Sequence, residues 1–357
     1  MLKFLNITDP HLGISRYGKS NLETGIHTRI EDTVKSIKTA CEIALKEQVD
    51  FITILGDIYD NNTPSNIKRD LLMEALSPAL GVIDIYYIVG NHDKEIRSHA
   101  LSSIKKLGIS NKLHIIDTPT NIKVKEYTLV FVPFLETKKM ADYIKDNSKI
   151  SNSLLFGHFS TSNAIFSNGW VPDPDEEIVS ILALEQSSFL GVYLGHIHRR
   201  QILSEKKPIM YCGSLVKTKF DELSDGDKGV ILTTIEGGKL FNSFIEIPDR
   251  PFIEVDYKSI KDLSINKESI IKITGEYAES DRANINLEDI KQEAQAKCFE
   301  IHDMDINITD TETDDSQNQV FTPVLSTLES LQKWAEVNKL SQEFVNKGKE
   351  IIDGTKV

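Results

Sequence analysis

In the stretch Phe-Ile-Thr-Ile-Leu-Gly-Asp, residues 51–57, an apolar run ends in a carboxylate, and the chemistry of this chain is organised around that juncture. Three β-branched residues in a run of five predict a strand buried on both faces, and the run stops at Gly56. In an open α/β sheet the carboxyl end of such a strand borders the crevice where ligands bind. Four other stretches repeat the pattern. Residues 2–8 run into Asp9 and His11, and residues 85–89 into Gly90-Asn91-His92-Asp93. Residues 154–156 run into Gly157-His158, and residues 192–194 into Gly195-His196 and His198. Five strand ends thus converge on one rim, bringing the donors Asp9, His11, Asp57, Asn91, His158, His196 and His198. This oxygen and nitrogen set suits manganese, iron or zinc better than calcium or magnesium alone.

A single histidine is more often a satisfied core or surface residue than a ligand, so the weight lies on the joint pattern. His27, His99, His114 and His302 lack it and read as structural. Asp60, in the same loop as Asp57 but three residues on, is intermediate, open to capping or orienting as well as to coordinating. Two divalent ions roughly 3.5–4 Å apart need one ligand that touches both, and a carboxylate can give one oxygen to each. Asp57 is the choice for that bridge. Such a pair lowers the pKa of a bound water, clamps phosphate oxygens and stabilises a five-coordinate transition state, so the expected chemistry is phosphoester hydrolysis. The histidine and asparagine content favours two Mn2+, with Mg2+ as a weaker substitute.

Holding these donors takes alternating strands and helices, and residues 1 to about 118 read that way. Helical spacing over 26–46 buries Val34, Ile37, Ala40, Cys41 and Ala44, and over 66–80 it buries Ile67, Leu71, Leu72, Ala75 and Leu76. Shorter strands are expected at 122–125 and 127–132, and a helix near 137–146. The strands at Leu154 and Val192 are expected to return to the central sheet, with closing strands at 207–211 and 228–234. A Pro-flanked loop, Pro248-Asp249-Arg250-Pro251, ends this large domain at about residue 249.

Residues 250–308 then read as a small α+β module with strands at 252–257, 269–274 and 299–308 and a helix at 287–296. Residues 309–320 form an acidic linker that cannot bury apolar surface. Residues 321–357 carry two amphipathic helical patterns, Val324, Leu328, Leu331, Ala335 and Val337, Leu340, Phe344, Ile351. Apolar stripes on a tether have no core of their own to join, so Leu328, Leu331, Leu340 and Phe344 are expected to meet a partner.

At 357 residues the chain is long enough for one large domain and smaller modules. Its net charge of −13 argues against whole-surface binding to nucleic acid and leaves room for a local basic groove. Cys41, Cys212 and Cys298 are odd in number and widely spaced, as buried thiols in a reducing compartment would be. No apolar run approaches the ~18 residues of a membrane span, and Asp9 arrives too soon for a secretory signal. The expectation is a cytoplasmic protein with no membrane partner, nucleoid-associated or in a host cytoplasm if viral.

The five motifs, Asp9-x-His11, Gly56-Asp57-x-x-Asp60, Gly90-Asn91-His92-Asp93, Gly157-His158 and Gly195-His196-x-His198, resemble the ordered set of the calcineurin-like metallophosphoesterases. Within that superfamily the chain resembles the SbcD branch, nuclease subunits of double-strand-break repair complexes. That resemblance rests on His11-Leu12-Gly13, on Tyr211-Cys212-Gly213-Ser214 followed by Phe220-Asp221-Glu222 and Lys228-Gly229, and on Arg250-Pro251-Phe252. It implies a layered β-sandwich flanked by helices, a DNA-binding α+β cap and C-terminal helices that bind the coiled-coil base of an SbcC-like ABC-type ATPase. It implies Asp9, His11, Asp57 and His198 around one ion and Asp57, Asn91, His158 and His196 around the other. His92 would contact the scissile phosphate and help protonate the leaving oxygen, with Asp93 orienting its ring. A homodimer through the nuclease domain is implied as well. The chain departs from the protein phosphatases of the superfamily at Asn61 and Asp93, and from archaeal and eukaryotic nucleases at Asp60, where those commonly carry histidine.

The function expected is double-strand exonuclease and single-strand endonuclease activity on DNA. Contacts to DNA phosphates are expected from Lys94, Arg97, Arg199, Arg200, Lys217 and Lys219, the basic residues beside the motif loops. A small-molecule or cyclic-nucleotide phosphodiesterase would share the metal site without needing cap or tail. A non-catalytic recombination scaffold would tolerate loss of ligands, and here all seven stand.

Overall fold

The structure is a computed structural model that describes residues 1–95, 98–135, 139–167, 169 and 177–309. Arg97, the acidic linker and the terminal patterns with Leu328, Leu331, Leu340 and Phe344 lie outside the described residues. The chain separates into two compact units, Met1–Tyr277 with Asp281–Asn307, and Ala278–Ser280 with Ile308–Val357. All seven expected metal donors belong to the first.

Strand β1 (Leu2–Ile7), helix α1 (Thr28–Lys46), β2 (Phe51–Ile54), α2 (Asn66–Leu76), β3 (Asp84–Ile88) and β4 (Leu113–Ile116) open the fold. After them come β5 (Thr120–Val124), β6 (Tyr127–Val132), α3 (Met140–Asn147), β7 (Ser153–His158), β8 (Phe189–Gly195), β9 (Gln201–Ser204), β10 (Ile209–Tyr211), β11 (Gly229–Glu236) and β12 (Lys239–Glu246). They form two six-stranded sheets, ordered β12-β11-β1-β2-β3-β4 and β9-β10-β8-β7-β6-β5. The inner four strands of the second sheet are parallel, as are β1 to β4 of the first, while β11 and β12 run antiparallel.

Period-two alternation along each strand explains the layering. On β1, Leu2 and Phe4 enter a cluster with Phe51, Leu129, Phe131, Phe156 and Tyr193, drawn from both sheets. Leu5 and Ile7 face the other way, onto Ile37, Ala40, Cys41 and Ala44 of α1. Phe4 stacks on Phe51 at 4.9 Å and meets Phe156 edge-on at 5.5 Å, tying one sheet to the other. The outer face of the second sheet is covered by Met140 and Ile144 of α3.

One expectation is corrected here. The strands at Leu154 and Val192 do not join the sheet of β1; they are the paired centre of a second sheet, β7 beside β8. A continuous apolar run reads alike in either sheet, so sequence could not assign it. The expected closing strand at 228–234 is present as one arm of a hairpin whose other arm, β12, went unread. His27 caps α1, its ring accepting from the Arg29 N–H.

Beyond residue 249, β13 (Phe252–Asp256) pairs in parallel with β14 (Ile270–Ala278), and β15 (Glu300–Thr309) completes a three-stranded sheet. Helix α4 (Leu287–Lys297) contributes Ala294 to a separate small core with Val255, Ile260, Ile271 and Ile273. Residues 16–25, without an assigned role in the sequence, lead to this module. Tyr17 packs edge-on against Phe220, Phe252 and His302, and Lys19 lies over the Phe299 ring at 4.2 Å.

Candidate metal centre

All seven expected donors meet at the carboxyl ends of β1, β2, β3, β7 and β8. The loops that carry them are bonded to one another. His11 N–H donates to the Asp57 carbonyl at 3.0 Å and Leu12 N–H to that of Ile58 at 2.7 Å. The Asp57 carboxylate accepts the His92 N–H at 2.9 Å through Oδ1, and Asp9 accepts the His196 N–H at 2.9 Å. Asp9, His11, Asp57 and His196 all adopt positive φ, of 45°, 48°, 49° and 89°. Four non-glycine residues in that region at one rim mark strain held by the surrounding structure, at about 1–3 kcal/mol each.

The close approach leaves no room for side chains at two glycines. A Cβ on Gly56 would run into the His158 ring, and one on Gly90 into the Asp57 carboxylate. That is the physical content of the Gly-Asp and Gly-Asn pairs in the motifs.

The imidazoles are aimed by what their outer nitrogens touch. His158 Nδ1 donates to the Leu55 carbonyl at 2.7 Å, which turns Nε2 toward Asn91 Oδ1 at 2.9 Å and Asp57 Oδ2 at 3.4 Å. His196 Nδ1 lies 3.1 Å from the same Asn91 oxygen. His198 Nδ1 faces Glu222 Oε1 at 2.9 Å, and its Nε2 comes within 2.9 Å of His11 Nε2. A ligand histidine whose other N–H is fixed by a carbonyl or carboxylate is the usual support of a metal site.

The donor set fits two divalent cations. Asp9, His11 and His198 form one group whose donor atoms cluster, and Asp9, Asp57 and His158 another. The local field also favours positive charge. Burial would lower His158, but Asp57, Asp9 and the Leu55 carbonyl outweigh it and push the ring up to about 9. Burial likewise opposes charge on His198, and Glu222 with Asp9 overcomes it. His11 is held well below its ordinary value by burial and by His198, which favours the neutral ring with one nitrogen free to donate its lone pair. Burial works against Asp57 too, yet His158, His11 and His92 hold its carboxyl far below the usual range.

His92 is exposed, lines the pocket over the cluster, and turns Nδ1 to the Asp60 carbonyl at 3.0 Å. This corrects the role expected for Asp93. Asp93 is fully buried; its carboxylate accepts the N–H groups of Tyr59 at 3.1 Å and Gly90 at 3.1 Å and the hydroxyl of Tyr87. It braces the loop, with burial and Asp57 lifting its carboxyl to about 7. The Asp60 carbonyl is the hydrogen-bond partner of the His92 ring, which also meets the His11 ring edge-on at 4.9 Å.

Of the expected phosphate-contacting residues, Lys219 is exposed and lines the pocket. Lys94 donates to the Phe134 carbonyl at 3.0 Å, and Arg200 lies over the Phe244 ring at 4.0 Å. Lys217 is half-buried, its carbonyl bonded by Arg29 at 2.5 Å; Arg199 is half-buried. Sequence reading assigned no site role to Glu222, although it stands in the Phe220-Asp221-Glu222 segment that carries part of the resemblance. A carboxylate buried to 1% exposure, ion-paired at 2.8 Å to an equally buried Lys228 six residues on, is its structural signature. Phe166, Ser167 and Asp221 of the pocket lining also went unread.

The calcineurin-like phosphoesterase family model matches residues 2–200. The D component of the nuclease SbcCD of Staphylococcus epidermidis is 29% identical over 291 residues, covering 72% of this chain and 74% of that protein. The DNA double-strand break repair protein Mre11 of Archaeoglobus fulgidus is 26% identical over 298 residues, covering 75% of this chain but 62% of that protein's length. A dimetal phosphatase from Danio rerio matches in structure with a TM-score of 0.43 and 12% identity, over 69% of this chain and 96% of that one.

Proposed function

The chain belongs to the calcineurin-like phosphoesterase family, and from that premise we propose that it is a manganese-dependent DNA nuclease, the catalytic subunit of a repair complex with an SbcC-like ATPase. The observation that carries this reading is the convergence of Asp57 with His11, His158, Asn91 and His198, the rings of His158 and His198 aimed inward by their own outer hydrogen bonds. Asp9, His11, Asp57 and His198 would hold one ion, and Asp57, Asn91, His158 and His196 the other. Divalent ions held there would supply Lewis-acid polarisation of a phosphodiester and a lowered pKa for a bound water.

The chain's own residues do the rest. Leu55 and Glu222 fix the rings of His158 and His198 so that nothing reorganises on binding. His92, anchored through Nδ1 to Asp60, presents Nε2 to the phosphate and gives a proton to the leaving oxygen. Lys219 supplies positive charge to the DNA backbone. The module after residue 249 is assigned to covering the cleft, and the terminal helical patterns to docking the ATPase. The names of the two relatives support nuclease and repair chemistry, and dimerisation through the nuclease domain is part of the same reading.

The test compares linear duplex DNA with a small aryl phosphodiester in Mn2+ and in Mg2+. Cleavage of DNA in Mn2+, weak in Mg2+, is expected. Turnover of the aryl ester alone would favour a small-molecule phosphodiesterase instead.

A further inference from the structure

Charge is not the whole lining of the pocket over the metal ligands. Phe166 lines the same cavity of about 190 Å3 as His92, His196, His198 and Lys219. Its ring lies 6.2 Å from that of His196 at 72°, and it is half-buried, packed in part against the apolar cluster of the second sheet. The segment that carries it is pinned on both sides. The Gln201 side chain donates to the Ile165 carbonyl at 2.8 Å and accepts the Ile165 N–H at 3.1 Å. Ser167 donates to Asp225 at 2.7 Å, and Asp225 is itself ion-paired at 3.1 Å to the buried Lys228. The neighbours of Phe166 on both sides are therefore held in place, which lowers the ordering cost of binding against its ring.

An apolar ring held beside a phosphate-handling site and an exposed lysine matches one kind of ligand well. Every nucleobase offers a flat face to an aromatic ring, and its backbone offers a phosphate to the cation. Inside a duplex both faces of a base are covered by its neighbours, so stacking on a protein ring requires a base that is unpaired, frayed or extruded. Resting on the nuclease reading above, we infer that Phe166 is the stacking platform for the nucleobase beside the scissile phosphate, and that it selects an unpaired nucleotide there.

The test uses the full chain in Mn2+ with two single-stranded substrates of equal length, oligothymidylate and a deoxyribose-phosphate oligomer without bases. Wild type should prefer the base-bearing oligomer by roughly ten- to a hundred-fold in kcat/KM, carried mainly by KM. Phe166→Ala should bring that ratio close to one, and Phe166→Tyr should keep it. Phe166→Leu retains apolar packing but not the flat face, so it should lose the preference as Phe166→Ala does, which separates stacking from folding. A preference undiminished in Phe166→Ala and Phe166→Leu, or a wild-type ratio near one, overturns the inference. A wild type that cleaves neither oligomer overturns the nuclease reading itself, a different and recognisable failure.

Discussion

The His198 ring faces Glu222 Oε1 at 2.9 Å while Oε2 of the same carboxylate holds Lys228 at 2.8 Å, so one buried anion orients a candidate ligand and is itself held in place. Glu222→Gln removes the charge with little change of shape. Metal affinity or activity should fall about 10- to 100-fold, the usual effect of losing such support. A Mn2+ titration at wild-type affinity would show that His198 needs no such partner.

His92→Ala should abolish DNA cleavage while both ions still bind, because the ring is anchored to the Asp60 carbonyl and clusters with His11 and Asp60 rather than with Asp9, Asp57, His158 or His198. Activity and metal content measured on one preparation decide this, and a lost ion would refute the assignment.

His158 gives the pH dependence its sign. In the metal-free protein its folded value of about 9 lies above the ordinary 6.5, so its proton stabilises the fold fully below about 6.5. That contribution is lost as pH rises through about 9. Mn2+ competes for the same nitrogen and must release the proton, so metal-free stability should fall and Mn2+ affinity rise across this window. Calorimetry in buffers of different ionisation enthalpy should register the released proton. Affinity independent of pH between these limits would contradict the assignment of His158 as a ligand.

The terminal helical patterns should act apart from the catalytic body. Truncation before Phe321 should leave Mn2+-dependent cleavage in place and remove co-purification with the ATPase. Leu331→Glu or Phe344→Glu should weaken that complex severely, since burial of such a side chain contributes about 1.5–3 kcal/mol and a buried charge adds its own cost. Loss of basal nuclease activity on truncation would assign these segments to the protein's own core.

The strands and the donors were legible because each strand is a short apolar run ended by a polar residue, a pattern local in sequence. What sequence left open depends on contacts distant along the chain. Nothing in Leu154 or Val192 says which of two sheets their strands enter, since both lie buried between layers in either case. Glu222 is separated by 24 residues from the histidine it orients, and only the fold reveals the pairing. Asp93, next to His92 in sequence, turns into the core because the neighbouring backbone N–H groups of Tyr59 and Gly90 claim its carboxylate. The partnership with His92 that the family resemblance implied is not the one these bonds make.

The most direct test of a two-ion centre bridged by Asp57 is the number of Mn2+ ions bound per chain by wild type and by Asp57→Ala. Two ions on wild type and weakened binding of both together on the variant is the predicted result. A variant that still binds one ion at wild-type affinity would contradict the bridge, and a single ion on wild type would contradict the two-metal centre.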